Sequence, residues 1–429
     1  MIGAGAGGMI AAGRAAQRGA EVILLEKTSH PGQKILISGK TRCNLSNTKE
    51  LDLFLGAYGK NGQFLHNVFN RFFRDDLLVL MRRYGVETKT ERGGRIFPSS
   101  NDAHDIVRAL EQYLTEYGVK ILTNTRVTDI EIEKGCVLGI KTDRGNYVAG
   151  AVIVATGGSS YPATGSTGDG YRMAKDLGHS IIKLRPSLVP LIVYETELAK
   201  SMQGVSLKNV RLTAYRCDSG QIDVMKASKF VIDSRMGELM MTHFGIGGPI
   251  TLQMSLGIVK ALEEGPVSVA IDLKPALSIK QLQQRLQRDF DNYSKRSIRN
   301  ILKELLPQKL IDPILNLSGI PFETLGTRIK AEERNRLVAL LKSLKFSINN
   351  SLPIGTAMVT AGGVSLKEID PRTMSSKLIK GLYFCGEVID IDADTGGYNL
   401  QAAFSTGYVA GESAAEYVSI SKERKLQTF

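Results

Sequence analysis

The chain begins Met1-Ile-Gly-Ala-Gly-Ala-Gly-Gly8, in which Gly3, Gly5 and Gly8 form the pattern G-x-G-x-x-G. The first glycine of this pattern permits a tight turn, the second lets the backbone approach a pyrophosphate, and the third lets the next helix pack closely on its strand. Residues 9–18 favour a helix, and residues 20–25 are an apolar run typical of a buried parallel strand. Glu26 ends this run, where an acidic side chain accepts hydroxyls of an adenosine ribose. The opening therefore predicts a dinucleotide-binding β-α-β unit.

Few residues precede this turn. Only Met1 and Ile2 stand before Gly3, whereas an ordinary strand has about five residues. We expect either a natural start upstream of Met1 or a shortened first strand, which would weaken dinucleotide binding. Because no secretory signal precedes the turn, we also expect a cytoplasmic location.

The composition is typical of a soluble globular protein, with 43% hydrophobic and 23% charged residues. No apolar stretch is long enough to span a bilayer, so we expect no membrane partner. The length of 429 residues predicts more than one domain. The cysteines show neither C-x-x-C nor another metal-ligand spacing, which predicts free thiols and no metal site at Cys43, Cys136, Cys217 and Cys385.

The order of predicted elements indicates an α/β fold in which a Rossmann-like domain is interrupted by an insertion. Residues 1–190 and 350–429 have the character of the dinucleotide-binding domain. Within it, helices are predicted around 65–84 and 102–117, and strands at 120–132, 136–142 and 147–155. Residues 191–275 form a β-rich inserted domain, and residues 276–349 a basic helical subdomain.

The net charge of +12 is concentrated in this helical subdomain. Residues 280–345 contain 14 Lys and Arg against 7 Asp and Glu. Apolar residues at helical spacing separate these charges, as expected for amphipathic helices with a solvated basic face. An RNA-binding surface is the alternative, but the stretch lacks interleaved aromatic residues for base stacking. We therefore expect no nucleic-acid partner.

Further glycine-rich segments accompany the first. Val152-Ile-Val-Ala-Thr-Gly-Gly158 is typical of a strand end, and Thr164-Gly-Ser-Thr-Gly-Asp-Gly170 of the start of a helix. Gly381-Leu-Tyr-Phe-Cys-Gly-Glu387 predicts a second strand and turn, and Asp394-Thr-Gly-Gly-Tyr-Asn-Leu-Gln401 precedes a helix of small residues. A helix N-terminus stabilises negative charge, and the N1/O2 edge of a flavin gains charge on reduction. For a flavin, this edge is the group that the N-terminus of the last helix would face.

Over essentially its whole length, the chain resembles the BaiN-type FAD-dependent oxidoreductases, also called the aminoacetone oxidase family, and more distantly the fumarate reductase and aspartate oxidase flavoproteins. The resemblance implies a Rossmann-like FAD-binding domain (GR2-like) interrupted by the β-rich and helical insertion. It rests on the glycine-rich segments above and on Gly32-Gln-Lys-Ile-Leu-Ile-Ser-Gly-Lys-Thr-Arg-Cys-Asn44, Gly94-Arg-Ile-Phe-Pro98, Thr242-His-Phe-Gly-Ile-Gly-Gly-Pro249 and Thr360-Ala-Gly-Gly-Val364.

The sequence departs from the family at two places. The family usually has three glycines before Arg-Cys-Asn, where this chain has Gly39-Lys40-Thr41, and a small polar residue where Gly247 stands. The first departure places a Lys and a β-branched residue in a loop expected near the flavin, which leaves the loop conformation open.

The resemblance also implies one extended, dissociable FAD near the seam between the nucleotide domain and the insertion. A covalent histidyl link is not expected, because residues 34–47 contain no histidine. Val127 is the expected backbone contact to adenine, and Tyr398 belongs to the segment expected at the pyrimidine edge. The expected FAD-binding residues are Gly3, Gly5, Gly8, Glu26, Lys27, Lys34, Ser38, Gly39, Arg42, Cys43, Asn44, Val127, Ala155, Thr156, Gly157, Asp169, Gly386, Glu387, Gly397, Tyr398, Asn399 and Leu400.

Several of these residues have more than one interpretation. Arg42 would either stabilise reduced flavin or an anionic substrate, or simply bind diphosphate. Cys43 has no partner cysteine at short spacing, which favours an inert packed thiol over a redox thiol. His243 would serve as a general acid or base, or as a structural histidine. Asp169 would bind adenosine or cap the next helix. Tyr161 would line a pocket or pack.

These observations predict an FAD-dependent oxidoreductase in which a hydride passes between a small organic substrate and flavin N5, with turnover by NAD(P)H or dioxygen. No second Rossmann fingerprint is visible, so NAD(P)H would dock transiently as electron donor. The alternative is an RNA-associated flavoprotein of the tRNA-modifying type that uses the basic insertion. No motif indicates the substrate or the oligomeric state.

Overall fold

The computed structural model describes residues 1–217 and 230–426, and the chain divides into two compact units. Unit 1 comprises Met1–Arg185 and Ile354–Phe429, and unit 2 comprises Pro186–Pro353. Within the described ranges, no helix combines the length and hydrophobicity needed to cross a membrane.

Unit 1 combines parallel and antiparallel strands with helices. In chain order its elements are α1 (Ala6–Gln17), β1 (Ile23–Leu25), α2 (Gln33–Ile37), β2 (Ser46–Asn47), α3 (Leu51–Gly56), α4 (His66–Arg71), α5 (Arg74–Arg83), β3 (Thr88–Glu91), β4 (Arg95–Pro98), α6 (Ala103–Glu116), β5 (Lys120–Leu122), β6 (Val127–Glu133), β7 (Cys136–Thr142), β8 (Gly145–Val148), β9 (Val152–Val154), α7 (Asp169–Asp176), β10 (Ile181–Ser187), β17 (Val359–Val364), β18 (Leu382–Phe384) and α14 (Tyr398–Leu426).

A parallel sheet lies at the centre of unit 1. β5 pairs with β1, and β9 pairs with β18, both in parallel. Ile2 joins the two pairs, because it forms parallel bridges to both Leu25 and Val154. The amide of Ile2 donates to Ile153 O at 2.9 Å, and the amide of Gly3 donates to Leu25 O at 2.8 Å. The first strand is therefore short but sits in the central position that a Rossmann sheet requires.

Helix α1 packs very closely against helices α14 and α6. Gly407 of α14 lies so close to α1 that an added Cβ would stand 2.3 Å from Gly7 O, and a Cβ on Gly411 would stand 2.2 Å from Ala11 O. On α1, Gly13 faces the ring of Tyr113 from α6, 2.2 Å from its added Cβ. Small residues in α1 and α14 thus bring both helices close together.

Three predicted elements of unit 1 are divided in the structure. The strand expected at 120–132 is two strands, because β5 pairs in parallel with β1 whereas β6 pairs antiparallel with β7. The helical stretch expected at 65–84 breaks between α4 and α5, where the Phe73 amide donates to Asp76 Oδ2 at 2.9 Å and starts a new helix. The strand expected at 147–155 is two strands, because β8 continues the antiparallel meander with β7 whereas β9 enters the parallel sheet. Similar apolar runs therefore belong to different sheets.

Unit 2 is a barrel with a helical part. Its elements are β11 (Leu191–Val193), α8 (Thr196–Ser201), β12 (Ser206–Tyr215), β13 (Val231–Met241), β14 (Gly245–Gly247), α9 (Pro249–Leu262), β15 (Val267–Asp272), α10 (Ile279–Asn292), α11 (Ile298–Ile301), α12 (Gln308–Ser318), α13 (Ala331–Lys342) and β16 (Leu344–Ser351).

The strands of unit 2 close in the order β11-β14-β13-β12-β15-β16, and each recorded pair is antiparallel. Val210, Leu212 and Ala214 of β12 are buried and alternate with the exposed Arg211 and the half-buried Thr213, as in a strand with one face on a core. The subdomain predicted as helical over 276–349 differs at its end, because β16 leaves the helices to close the barrel between β15 and β11.

Candidate FAD-binding site

Most predicted cofactor residues lie at one edge of the parallel sheet of unit 1. Gly3 ends the first strand, Glu26 follows β1, and Ala155 follows β9. Gly386 is the second residue after β18. Val127, which is buried, begins β6 shortly after β5 ends. The carboxyl ends of parallel strands meet at a single edge, which is where open α/β sheets bind ligands.

The glycine turn has the geometry that its sequence predicts. Gly3 has φ +97°, and a Cβ there would stand 2.6 Å from Ala155 O. A Cβ on Gly8 would stand 1.9 Å from Gly3 O, so the first turn of α1 rests directly on the strand end. Gly5 caps α1 without a side-chain hydrogen bond, and an added Cβ would meet nothing within 4 Å. Open space therefore faces the helix N-terminus, where an anion binds.

Glu26 is held beside this turn. The Ala4 amide donates to Glu26 Oε2 at 2.8 Å, and the Thr28 amide donates to Oε1 at 2.8 Å. The Thr28 hydroxyl lies 2.9 Å from both Oε1 and His30 O, and its single proton serves one of them at a time. A carboxylate accepts about four hydrogen bonds, so positions remain on Glu26 for ribose hydroxyls.

Asp169 is held by two cations at the start of α7. Lys27 Nζ lies 2.8 Å from one carboxylate oxygen and Arg126 Nη2 lies 2.9 Å from the other. Burial opposes ionisation, but the hydrogen bonds from Lys27 and Arg126 outweigh it and lower the pKa of Asp169. Its side chain makes no capping hydrogen bond, since Gly168 is the N-cap residue. The Asp169 side chain therefore does not cap α7. Its carboxylate instead links Lys27 to Arg126.

Glu387 and Lys34 form a second ion pair. Lys34 Nζ donates to Glu387 Oε2 at 2.5 Å and to Ser160 Oγ at 2.6 Å. Glu387 Oε1 accepts the amide of Thr360 at 2.8 Å and the hydroxyl of Ser160 at 3.1 Å. The preceding Gly386 amide donates to Thr406 Oγ1 at 3.0 Å. The protein thus engages both oxygens of Glu387, and Lys34 directs two of its three donors to Glu387 and Ser160.

The loop between α2 and β2 adopts the left-handed conformation that a glycine-rich loop would favour. Gly39, Lys40, Thr41 and Cys43 have φ of 55°, 59°, 65° and 58°. The left-handed backbone conformation costs about 1 to 3 kcal/mol for a residue other than glycine, and it is especially disfavoured for a β-branched residue. Ser38 opens the loop, and its carbonyl accepts the Cys43 amide at 3.0 Å. Lys40 and Thr41, which stand where the family usually has glycines, therefore have strained backbone conformations in this loop.

Arg42 and Cys43 occupy contrasting positions in that loop. Arg42 Nη1 donates to Glu91 at 2.7 Å, and its guanidinium lies 4.1 Å above the Phe97 ring. Its hydrogen bonds to described residues all use Nη1, so Nε and Nη2 remain for another acceptor. Cys43 is fully buried, and burial raises the pKa of its thiol to about 12 despite a hydrogen bond with Ser38. A protonated, packed thiol has no nucleophilic role.

The start of α14 meets this loop. In the amide orientation that suits its neighbours, Asn44 accepts from the Gly397 amide at 3.0 Å and donates to Ser46 O and Ile96 O. Asn399 forms two 2.9 Å hydrogen bonds with the backbone of Ala393. Tyr398 is buried in a cluster of aromatic rings, and Leu400 is half-buried. Since these side chains are engaged, the contribution of 398–400 to a ligand is the amides of a helix N-terminus.

The remaining predicted residues are placed as follows. Thr156 and Gly157 continue from Ala155, and Thr156 packs against Gly170, whose added Cβ would lie 2.1 Å from its hydroxyl. Tyr161 is half-buried with φ 51°. His243 belongs to unit 2, where it is exposed between β13 and β14.

Sequence reasoning missed four partners of these residues, namely Arg126, Ser160, Thr360 and Thr406. Thr360 stands in a motif quoted for the resemblance, but its hydrogen bond to the Ser159 amide at 2.8 Å joins segments about 200 residues apart. Nothing local in the sequence indicates such a contact.

The residues present fit FAD on three structural observations. The uncapped N-terminus of α1 faces open space at Gly5, which suits a diphosphate, and the anchored Glu26 carboxylate suits a ribose. In addition, Ser46 Oγ and Gln401 Oε1 are buried without a hydrogen-bond partner among the described residues, on the two segments that meet at Gly397. These features define a dinucleotide-binding flavoprotein with a Rossmann-type sheet.

The chain belongs to the HI0933-like Rossmann family, since the model described as "HI0933-like protein Rossmann domain" matches residues 1–413. The predicted α/β Rossmann-type fold and the predicted resemblance are thereby confirmed. The protein is an FAD-dependent oxidoreductase.

Among curated proteins, the chain is 33% identical to a 3-dehydro-bile acid delta(4,6)-reductase from Clostridium scindens, covering 97% of this chain and 98% of that protein. It is 31% identical to a ribosomal RNA dihydrouridine synthase from Haemophilus influenzae, covering 96% and 97%. Among solved structures, a quinol-fumarate reductase with menaquinol molecules is 16% identical and covers 98% of this chain and 71% of that one with a TM-score of 0.51, which supports the fold alone.

Proposed function

We propose that this protein reduces a carbon–carbon double bond conjugated with a carbonyl group, using FAD and an NAD(P)H electron donor. The observation that carries the proposal is that two relatives matching along the whole chain have names describing the same bond change. A delta(4,6)-reductase saturates a double bond conjugated with a 3-oxo group, and dihydrouridine is uridine whose ring double bond beside a carbonyl is saturated.

When bound, FAD supplies the hydride for such a reduction. The chain provides the diphosphate site at Gly5 and the ribose site at Glu26. Hydride addition to a conjugated bond places negative charge on the carbonyl oxygen, and Arg42 is the residue we assign to that oxygen. Its Nε and Nη2 are not used by described residues, and Glu91 with Phe97 fixes its plane.

NAD(P)H would dock transiently, because the described residues contain no second glycine-turn β-α-β unit. The test is an anaerobic absorbance titration of the FAD-reconstituted protein with NADH and then NADPH. Bleaching of the flavin band is expected with one of them. An unbleached flavin that a small amine reduces instead would contradict the donor and indicate an oxidase or dehydrogenase.

The second half of the test adds an acceptor to the bleached enzyme without oxygen. A steroid 4,6-dien-3-one, a simple cyclic enone and an unmodified ribosomal RNA transcript are compared. Return of the flavin band with any of them supports the reaction class, and mass spectrometry identifies a product heavier by two hydrogens. Failure of all three to re-oxidise the flavin would overturn the reaction class.

RNA is the second candidate for substrate and replaces the small molecule predicted from sequence if the transcript alone restores the band. The specific observation in its favour is the basic charge of unit 2, which a small steroid would not require. Formation of dihydrouridine in the transcript is the product to be measured.

A further inference from the structure

We infer that two paired segments of unit 2, residues 293–297 and 325–328, bind the phosphodiester backbone of a folded RNA. We call this surface the Arg296 patch. The inference rests on the proposed function only for the choice of RNA as substrate; the surface itself follows from contacts, charges and an aromatic ring.

The backbone of the patch is fixed. Ser297 and Leu325 form an antiparallel bridge, and the Gly326 amide donates to Arg296 O at 3.1 Å. An added Cβ on Gly326 would stand 2.7 Å from Phe290 O at the end of α10, so only glycine allows this approach. The two segments, thirty residues apart in sequence, therefore present their side chains from one anchored platform.

The cations of the patch lack acidic partners. Lys295, Arg296 and Arg328 are exposed, and none has a carboxylate within salt-bridge distance in the described part of the chain. Three other basic residues of the helical part are paired, Arg285 with Asp289, Arg299 with Asp312 and Lys342 with Asp272. The three cations of the patch are therefore available to an external anion.

The patch also includes an aromatic ring that the sequence pattern did not reveal. The Arg296 guanidinium lies 4.6 Å from the centre of the half-buried Tyr293 ring. A stacked guanidinium keeps its nitrogen donors in one plane, which suits phosphate oxygens, and its outer face can stack on an unpaired base. Cations combined with a stacking surface fit RNA better than an anionic membrane, which offers no bases.

The test compares two triple variants in the FAD-loaded protein. Lys295→Gln with Arg296→Gln and Arg328→Gln neutralises the patch. Lys200→Gln with Lys208→Gln and Lys260→Gln removes the same charge from exposed positions of unit 2 elsewhere. Binding of a labelled ribosomal RNA transcript is measured by anisotropy over a range of KCl concentrations.

We expect the patch variant to lose about 10-fold or more in affinity and to lower the slope of log K against log salt by about 2, because each phosphate contact contributes about 0.7 to 0.9. The control variant should change the RNA affinity and the salt slope by only a small fraction of these amounts. Arg296→Lys should keep the salt slope but bind an unpaired loop more weakly, since it keeps the charge and loses the stacked plane.

Equal losses in both triple variants, or wild-type protein that binds anionic vesicles but no RNA, would overturn the patch. The proposed function is read separately, from flavin bleaching by NADPH and re-oxidation by the cyclic enone, which the patch variant should perform at the wild-type rate. RNA binding at the patch with no dihydrouridine formed would uphold the patch and refute RNA as substrate.

Discussion

At the scale of single residues, a substitution at Gly5 should affect the stability of the protein and its affinity for FAD in opposite directions. It is the N-cap of α1, its φ of −82° suits any residue, and its added Cβ meets nothing within 4 Å. Gly5→Asp should therefore fold, and a capping carboxylate should stabilise the apoprotein by only a few tenths of a kcal/mol, because glycine is itself a tolerated N-cap. FAD affinity should fall at least about 10-fold, because the carboxylate repels the diphosphate.

The measurements are the melting temperature of the apoprotein and FAD binding by flavin fluorescence. Gly3→Ala is the contrasting variant, because its Cβ would stand 2.6 Å from Ala155 O in a left-handed backbone. It should lose stability as well as FAD. Undiminished FAD binding by Gly5→Asp would contradict the diphosphate site.

Arg42 tests the chemical role assigned to the strained loop. Arg42→Met should leave the bleaching of the flavin by NAD(P)H nearly unchanged and slow re-oxidation by the unsaturated substrate by about 100-fold, the usual effect of removing a donor to a developing oxyanion. Arg95→Met is the matched control, because Arg95 also lies over the Phe97 ring, at 5.6 Å, and faces Glu91. Stopped-flow absorbance measures both half-reactions, and equal effects of the two variants would refute the assignment.

His179 gives the protein a pH-dependent stability. Its ring is buried between Glu368, at 3.1 Å, and Ser376, at 3.0 Å. Burial lowers the pKa of His179, although the hydrogen bond with Glu368 opposes the shift. Its stabilising contribution is therefore complete above the unfolded pKa of about 6.5 and is lost as the pH falls through the lower folded pKa.

The free energy of unfolding should thus decrease from about pH 7 to about pH 5. His179→Gln should be less stable at neutral pH and show a flatter dependence in this window, whereas His243→Gln, at an exposed position, should keep the wild-type slope. Denaturant unfolding at several pH values measures this. Parallel curves for wild type and His179→Gln would refute the role of His179.

At the scale of elements, the contact of α1 with α14 couples the fold to the cofactor site. The same α1 whose N-terminus is the proposed diphosphate site packs on Gly407, and Thr406 beside it accepts the amide of Gly386 at 3.0 Å. A change in the α14 backbone position should therefore move the glycine turn and the β18 turn together.

Gly407→Ala should reverse the ordinary gain from replacing a helical glycine. Alanine is favoured over glycine in a helix by about 1 kcal/mol, but a Cβ at Gly407 would stand 2.3 Å from Gly7 O. We expect a loss of stability of about 1 to 3 kcal/mol and weaker FAD binding. Gly257→Ala in α9, whose Cβ would meet Ile232 at an ordinary 3.8 Å, should instead stabilise. Thermal unfolding and FAD titration measure both, and a stabilised Gly407→Ala would contradict the packing.

At the scale of the whole molecule, the predicted cofactor residues and the cations of the Arg296 patch are in different units. Except for His243, the predicted site residues are in unit 1, whereas the Arg296 patch is in unit 2. FAD binding should therefore protect one unit selectively, since a ligand stabilises the segments that must open to release it.

Hydrogen exchange with and without FAD measures this selectivity. Slower exchange is expected for amides of residues 3–9, 26–28, 155–158 and 398–400. The barrel strands β12 and β15 should change little. Protection confined to the barrel, with the glycine turn unchanged, would refute the placement of the site.

The amino-acid sequence predicted the dinucleotide turn, Glu26, the strand ends and the interrupted α/β organisation, because turns, caps and periodicity are encoded within a few residues. The fold was needed to show that Lys27 and Arg126 share Asp169, that Lys34 pairs with Glu387, and that the Gly326 amide binds the Arg296 carbonyl. Such pairs depend on segments that meet only after the chain has folded. The sequence lists the charged groups, but their partners, burial and available hydrogen bonds follow from packing.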